Sequence, residues 1–438
     1  MSRNSAQHQV PIALRIAIAV WVFILTCSAL RAYIPYVHWY ATGALTMALI
    51  LGGYRPKLRH QARFHMCSSA LLCLSVLLVA AANEQPLYNI GEAAKLTLIL
   101  LFLCPLLAAH PDFTDSMIGG AVIANCIHAL LLVLGIEFGV GPGTYMGPGR
   151  YTSGLAGPGT LWRTAALVLL FAILRYVTGR WSFGKTSIVL CSSLLLILAD
   201  GARTGDIMLS IAMLFALFFI VKEFLRTRAS MLLVFRSGTI LLLLASGIAF
   251  GLGAADIAIT GARVSSRAAD FALSVFHNAD IGTEDDRIRS AMLVDGLEAV
   301  KTHPLIGSGM GTTKTVVAGS GEMVNHISYL QVWADVGILG FISYLFINLG
   351  SLLIWTQRML REARSVNVDR KCKFYNGVFL LAVWFTAAWL HALSTEMTEW
   401  ILFVIAYSSL ESASNHHGGV NCQSIPDKRL RKATAYSY

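Results

Sequence analysis

Charge is what this chain has least of. Only 13% of its 438 residues are Asp, Glu, Lys or Arg, against 56% hydrophobic, where a soluble domain carries roughly a quarter charged residues. Mean hydropathy is +0.63. A soluble enzyme is excluded, and an all-α polytopic membrane protein is the expected fold class. Cysteine offers no disulfide framework. Cys27, Cys67, Cys73, Cys104, Cys126 and Cys191 fall in apolar stretches, and Cys372 and Cys422 sit in basic segments expected on the reducing side. No Cys/His cluster has zinc spacing, and nothing in the sequence asks for a metal or another cofactor. Met1–Val10 is too short and polar for a signal peptide, so the first apolar stretch is expected to be retained. No repeat relates the two halves.

What is present is a succession of apolar stretches near the ~20 residues a helix needs to cross a bilayer. About twelve are read: 11–30, 37–53, 65–82, 94–109, 117–138, 161–178, 184–200, 205–222, 237–257, 327–355, 374–394 and 397–411. The expected organisation is transmembrane helices 1–9 over 1–257, a large polar loop with an amphipathic helix over 258–325, helices 10–12 over 326–411, and a basic tail over 412–438. The net charge of +10 does not imply nucleic acid. Its cations alternate along the chain: Arg55 to Arg63, Arg175 to Lys185, Lys222 to Arg236, Arg358 to Lys373, and the tail, while loops 83–93 and 391–396 hold no Lys or Arg. This asymmetry puts the N-terminus inside.

Arginines on the opposite, outer side are few, and each carries more information. Arg203 lies in Asp200-Gly201-Ala202-Arg203-Thr204-Gly205, a tight hairpin between two apolar helices. A snorkelling side chain, or one paired with Asp200 or Asp206, is the structural alternative to a ligand-binding one. Arg150 belongs to the Gly- and Pro-rich stretch 141–154, where the backbone can approach a ligand closely. Arg163 falls near the outer end of the next helix and is a candidate to line the same cavity. Arg287 and Arg289 open a segment with Met292, Leu293, Leu297 and Val300 at helical spacing, expected to lie on the outer surface and to stop near His303-Pro304. Cations at a helix start oppose its dipole, which points to another use.

Two lookalikes are set aside. Gly307-Ser308-Gly309-Met310-Gly311-Thr312-Thr313-Lys314-Thr315 lacks the adjacent Gly-Lys of a phosphate loop and follows no strand. His110, Asp112 and Asp115 fall on the inner side and read as solvated loop residues. His326 is expected to begin a long helix, capped by Asn325, with Gly337 and Gly340 admitting a close neighbour. A neutral imidazole there can accept a hydroxyl proton near neutral pH. Asp335, nine positions on, faces away from it. Glu322, Glu396 and Glu399 are the acids available to orient it.

These residues resemble a known superfamily, the bacterial O-antigen ligases and O-antigen polymerases, over about 140–345. The likeness rests on Arg203 at the outer end of a helix and on Arg289 followed by His303-Pro304-Leu305-Ile306-Gly307-x-Gly309. It also rests on His326 opening a membrane helix with Gly337-x-x-Gly340, and on Gly149-Arg150-Tyr151-Thr152-Ser153-Gly154. Ile327, where many members have Asn, and the lack of a Trp within 289–302 are departures at the level of subfamily. The resemblance implies a GT-C-like, metal-independent glycosyltransferase of the bacterial inner membrane, with its active site facing the periplasm. Its donor would be a glycan on undecaprenyl diphosphate, and its acceptor the lipid A core oligosaccharide in lipopolysaccharide assembly. His326, Arg289 and Arg203 would be catalytic, and Arg150, Arg287 and Arg163 would bind substrate. The chemistry agrees: a departing diphosphate gathers negative charge that planar guanidinium forks stabilise.

Three other readings stand beside the ligase. A polymerase would join repeat units on the same carrier. A protein O-glycosyltransferase usually carries a longer C-terminal extension than 412–438. A transporter of about twelve helices needs ionisable groups deep in its spans, and Asp335 is the main one found.

Overall fold

Most of the helices are apolar on every side, the pattern of a segment enclosed by protein or lipid. The structure, a computed structural model, describes residues 10–55, 60–82, 85–135, 151–157, 159–227, 235–240, 284–317, 321–361, 367–391 and 396–415. The helices are α1 (Ile12–Thr26), α2 (Leu30–Tyr33), α3 (Val37–Leu51), α4 (His60–Ala82), α5 (Pro86–Thr97), α6 (Cys104–Leu107), α7 (Pro111–Val133) and α8 (Thr160–Val177). They continue with α9 (Phe183–Asp200), α10 (Arg203–Thr227), α11 (Glu284–Thr302), α12 (Ser328–Leu345), α13 (Ser351–Arg361), α14 (Val368–Ala387) and α15 (Met397–Asn415). Among the described residues the only β structure is an antiparallel hairpin, β1 (Lys314–Val317) with β2 (Gly321–Val324), in which Lys314 pairs with Val324 and Val316 with Glu322. The sequence reading did not anticipate it.

Seven helical runs among the described residues are long and apolar enough to cross a membrane: Arg63–Ala82, Pro86–Leu107, Pro111–Val133, Thr160–Val177, Phe183–Asp200, Thr204–Leu225 and Ser328–Leu360. The protein is thus membrane-embedded, polytopic and helical. α1 and α3 are apolar but shorter. The stretches expected at 374–394 and 397–411 are the more polar α14 and α15, which the bundle encloses almost completely. The stretch expected at 237–257 lies, beyond residue 240, outside the described residues, as do 258–283 and the tail beyond 415.

Two spans are continuous only because a π turn joins their pieces. Leu98–Leu103 links α5 to α6, just where Pro105 has no N–H to give and its ring would press on the carbonyl four residues back. A wider turn relieves both problems. Phe346–Gly350 links α12 to α13 in the same way. The resulting run Ser328–Leu360 has 33 residues, about 50 Å at 1.5 Å per residue, which exceeds the ~30 Å hydrocarbon core. Counting back about 20 residues from Trp355, just inside Arg358, reaches Val336. The segment before it is more than a hydrocarbon core of that thickness needs.

α8 is the axis of the bundle. From Thr160 to Val177 only Arg163 and Arg175 escape burial, and α7, α9, α10, α14 and α15 surround it. One end of the bundle gathers the basic residues: Lys371 pairs with Glu223 at 2.8 Å, Lys373 with Asp115 at 2.8 Å, and Arg175 with Asp369. Lys185 and Lys222 stand over the rings of Trp181 and Phe218. Asp115 therefore belongs to the basic end, and His110 caps α7 by accepting the Asp112 N–H. The opposite end, where α8, α10 and α12 begin, carries His326.

Candidate active site at the His326 end

His326 is not the first residue of its helix. α12 begins at Ser328, with Ile327 in an extended conformation before it and no side-chain cap. Asn325, expected to cap the helix, does a different job. It is fully buried, its Oδ1 accepts the Ile327 N–H (2.9 Å), and its Nδ2 donates to the Met292 carbonyl of α11. His326 is half-buried on the bend that results. Gly296 makes this approach possible, because a Cβ there would stand 2.5 Å from Asn325 Nδ2 and from a Leu330 methyl.

α11 meets α12 through Met292 and Val300, both buried, with Gly296 between them on the same stripe. Leu293 and Leu297, expected on that face, are exposed. They sit about 100° round the helix from the stripe that Gly296 allows to come closest. α11 also starts earlier than expected, at Glu284, so the acidic run 284–286 lies in its first turn. Arg287 and Arg289 follow, five and three residues ahead of the Met292–Asn325 contact.

A second residue gathers the remaining candidates. The His391 carbonyl accepts from the Ser328 hydroxyl (2.6 Å), and the Ser328 N–H donates to Ala388 O (2.9 Å). The His391 Nε2 lies 3.0 Å from the Thr204 hydroxyl, one residue past Arg203. Its ring stacks on Trp162 with centroids 6.0 Å apart, one residue before Arg163. The Arg163 guanidinium pairs with Glu399 at 3.2 Å and lies over the Trp162 ring. Asp200, weighed as a partner for Arg203, is fully buried, and its Oδ2 accepts the N–H groups of Gly159 (2.7 Å) and Trp162 (3.1 Å). It thereby satisfies the start of α8 and suits its dipole. Arg150 lies outside the described residues. Of the sequence candidates, then, Arg163, the backbone of Arg203, the Arg287- and Arg289-bearing helix start and His326 all come to one end of the bundle.

The glycine-rich loop after His303 does cradle an anion, and the anion is the protein's own. Asp335 is fully buried. Its Oδ2 accepts the Gly311 N–H (2.8 Å) and the Gln331 amide (3.3 Å), and its Oδ1 accepts the Thr313 N–H (3.0 Å) and hydroxyl (2.5 Å). The loop can reach it because α12 breaks at Gly337, whose φ of 78° and ψ of −178° are not helical. The break frees the Ala334 and Asp335 carbonyls to accept from Ser308 and Gly309, while Ile338 N–H turns to Pro304 O. The close approach predicted from Gly337 is real, but the neighbour is this loop. A Cβ on Gly337 would stand 2.2 Å from Leu305 O, and one on Gly307 2.5 Å from Asp335 O.

Comparison of the chain with protein-family models and with curated proteins finds no match. Sequence reasoning missed His391, although the lysine- and arginine-free loop 391–396 was in view. It also missed the role of Asp335, whose signal was an acid two residues before a glycine, with a Gly-Thr-Thr run upstream at 311–313. Among the described residues, no three His, Cys, Asp or Glu side chains come together as metal ligands.

Proposed function

We propose that this protein is an inner-membrane glycosyltransferase of the O-antigen ligase type, with about twelve spans in a GT-C-like arrangement and its His326 end facing the periplasm. It transfers a glycan from undecaprenyl diphosphate to the lipid A core oligosaccharide without a divalent metal. The acceptor hydroxyl attacks the anomeric carbon and its proton passes to His326. The bond from that carbon to the diphosphate oxygen breaks, and the diphosphate leaves with the electron pair. Arg203 and Arg289 receive the growing charge, and Arg150, Arg287 and Arg163 hold the rest of the substrate.

The observation that carries this reading is the meeting of Arg163, His326 and the starts of the helices bearing Arg203 and Arg289 around His391 and Asn325. A diphosphate-leaving reaction needs several guanidinium groups and one proton acceptor within reach of each other, at a boundary that both lipid-linked substrates can reach. Buried charges elsewhere do not favour transport. Glu223 with Lys371, near a helix end, and Glu92 with Lys95, inside the span Pro86–Leu107, are ion pairs that neutralise each other, and Asp335 is saturated by its loop.

The test is transfer by purified protein from lipid-linked donor to core acceptor in excess chelator. Full activity is expected for the wild type, near-complete loss for Arg203→Lys and Arg289→Lys, which keep charge but lose the planar fork, and a loss of about 10²–10⁴-fold for His326→Gln. Activity that dies in chelator and returns with magnesium would overturn the mechanism. A deletion strain separates the ligase from a polymerase: core-only lipid is expected, whereas core carrying one repeat unit would identify a polymerase.

A further inference from the structure

Beside the arginine-bearing helix ends, and separate from them, is an open cleft of about 490 Å³, within the roughly 300–1,000 Å³ of typical ligand sites. Gln85 and Tyr88 at the start of α5 form one wall. Gly311 and Thr312 of the loop, with Lys314 and Glu322 of the hairpin, form the other. Both walls are fixed. The Met310 N–H donates to Asn89 Oδ1 of α5 (2.8 Å), and the Gly311 N–H is held by Asp335 (2.8 Å). Gly311 has φ of 72°, which a glycine adopts without strain, and a Cβ there would only touch the Tyr88 hydroxyl at 3.6 Å. A site already built spares a ligand the cost of ordering it.

The lining selects by charge. Lys314 is matched by Glu322 at 2.9 Å, so the wall has no net charge for a diphosphate, and its apolar side chains, the buried Met310 and the solvent-facing Val316, form no enclosed surface for an acyl chain. What remains is an uncharged polyhydroxylic ring, which can lie on the half-exposed face of Tyr88 and exchange hydrogen bonds with Gln85, while the Thr312 hydroxyl, engaged by Ser308, the Gly309 carbonyl and Asp335, shapes the facing wall. The cleft also adjoins the proposed base. Thr313, next to Thr312, accepts the Asn325 N–H through its carbonyl (3.1 Å), and Asn325 precedes His326. We infer that this cleft is a saccharide subsite that holds the terminal, unphosphorylated sugar of the acceptor, with Tyr88 and Gln85 as its specificity-determining residues. The inference rests on the ligase reading for the identity of the saccharide.

The test uses the full chain in lipid nanodiscs. Its probe is core oligosaccharide released from lipid A and dephosphorylated, with the phosphorylated form alongside. Calorimetry without donor reads binding independently of turnover, and a transfer assay reads KM for donor and acceptor. The wild type is expected to bind the dephosphorylated probe at least as tightly as the phosphorylated one. Tyr88→Leu and Gln85→Leu should each raise Kd, and the acceptor KM, about tenfold (~1.4 kcal/mol) while leaving the donor KM unchanged. Both alter side chains only, so neither depends on the loop backbone. The subsite is overturned if the wild type binds neither probe, if only the phosphorylated form binds, or if both variants bind as the wild type does. Transfer with acceptor KM unmoved by the variants would remove the cleft and leave the ligase reading. Variant-sensitive saccharide binding in a protein that transfers nothing would remove the ligase reading and leave the cleft.

Discussion

Replacing Asp335 by asparagine tests the architecture around His326 at one carboxylate. Each Asp335 oxygen accepts one backbone N–H, from Thr313 to Oδ1 and from Gly311 to Oδ2; Oδ2 also accepts the Gln331 amide, and Oδ1 the Thr313 and Thr312 hydroxyls. An amide can accept through one oxygen only, so either flip of the introduced side chain sets its NH₂ against a buried backbone donor. One orphaned donor costs about 1–3 kcal/mol, and the surviving bonds lose charge assistance worth on the order of 1 kcal/mol. About 3 kcal/mol of local stability should go. The helix bundle does not depend on this site, so global unfolding is the wrong assay. Hydrogen exchange of the Gly311 and Thr313 amides, followed by mass spectrometry in nanodiscs, reads the loop directly. Exchange there should quicken by about 10²-fold, at about 1.4 kcal/mol per tenfold, with little change in α8. Wild-type protection at both amides in Asp335→Asn would refute the cradle. Uniform deprotection of α8 and α15 would refute its local character.

Three further outcomes follow from the geometry. Gly337→Ala adds a methyl 2.2 Å from Leu305 O at a left-handed φ; a fall of several degrees in the thermal midpoint is expected, whereas Gly43→Ala, with nothing within 4 Å, costs nothing beyond noise. An unchanged midpoint for Gly337→Ala would mean the loop does not pack there. A double-mutant cycle on Arg163→Gln and Glu399→Gln should give a coupling of about 1 kcal/mol or more for this partly enclosed pair, and strict additivity would dissolve the ion pair. His391→Phe keeps the stack on Trp162 but loses the Thr204 bond, so it should destabilise less than His391→Ala and be non-additive with Thr204→Val, a result that additive effects would contradict.

The sequence was most legible where one rule acted alone. Apolar runs found the helices because a spanning helix has no polar face to confuse, and the bounds of α8 and α9 came within a residue or two. Around His326 several rules compete. Asn325 reads as a helix cap because Asn usually is one; the buried α11 contact takes its side chain elsewhere, and no local pattern announces a donor to Met292 O. Leu293 and Leu297 share a helical stripe with Met292 on paper, yet Gly296 decides which stripe docks, by the absence of a side chain. His391 was invisible for a plainer reason. Its partners lie on α8, α10 and α12, and such a hub has no spacing along the chain to betray it.

The break at Gly337 also bears on how the chain is assembled. In an unbroken α12, Ile338 and Leu339 would donate to Ala334 and Asp335; in the bent one those two carbonyls serve Ser308 and Gly309 instead. The two arrangements exclude each other, and interlocking Gly307 with Gly337 leaves no room for an intermediate register. Residues 303–313 leave the ribosome before α12 exists, so until that helix arrives the N–H groups of Ser308, Gly309, Gly311 and Thr313 have only water. Insertion of α12 is therefore the step that matures the His326 end: the helix must give up part of its own ladder to the waiting loop, and a chain halted before that exchange would be inserted in the membrane with this end unformed.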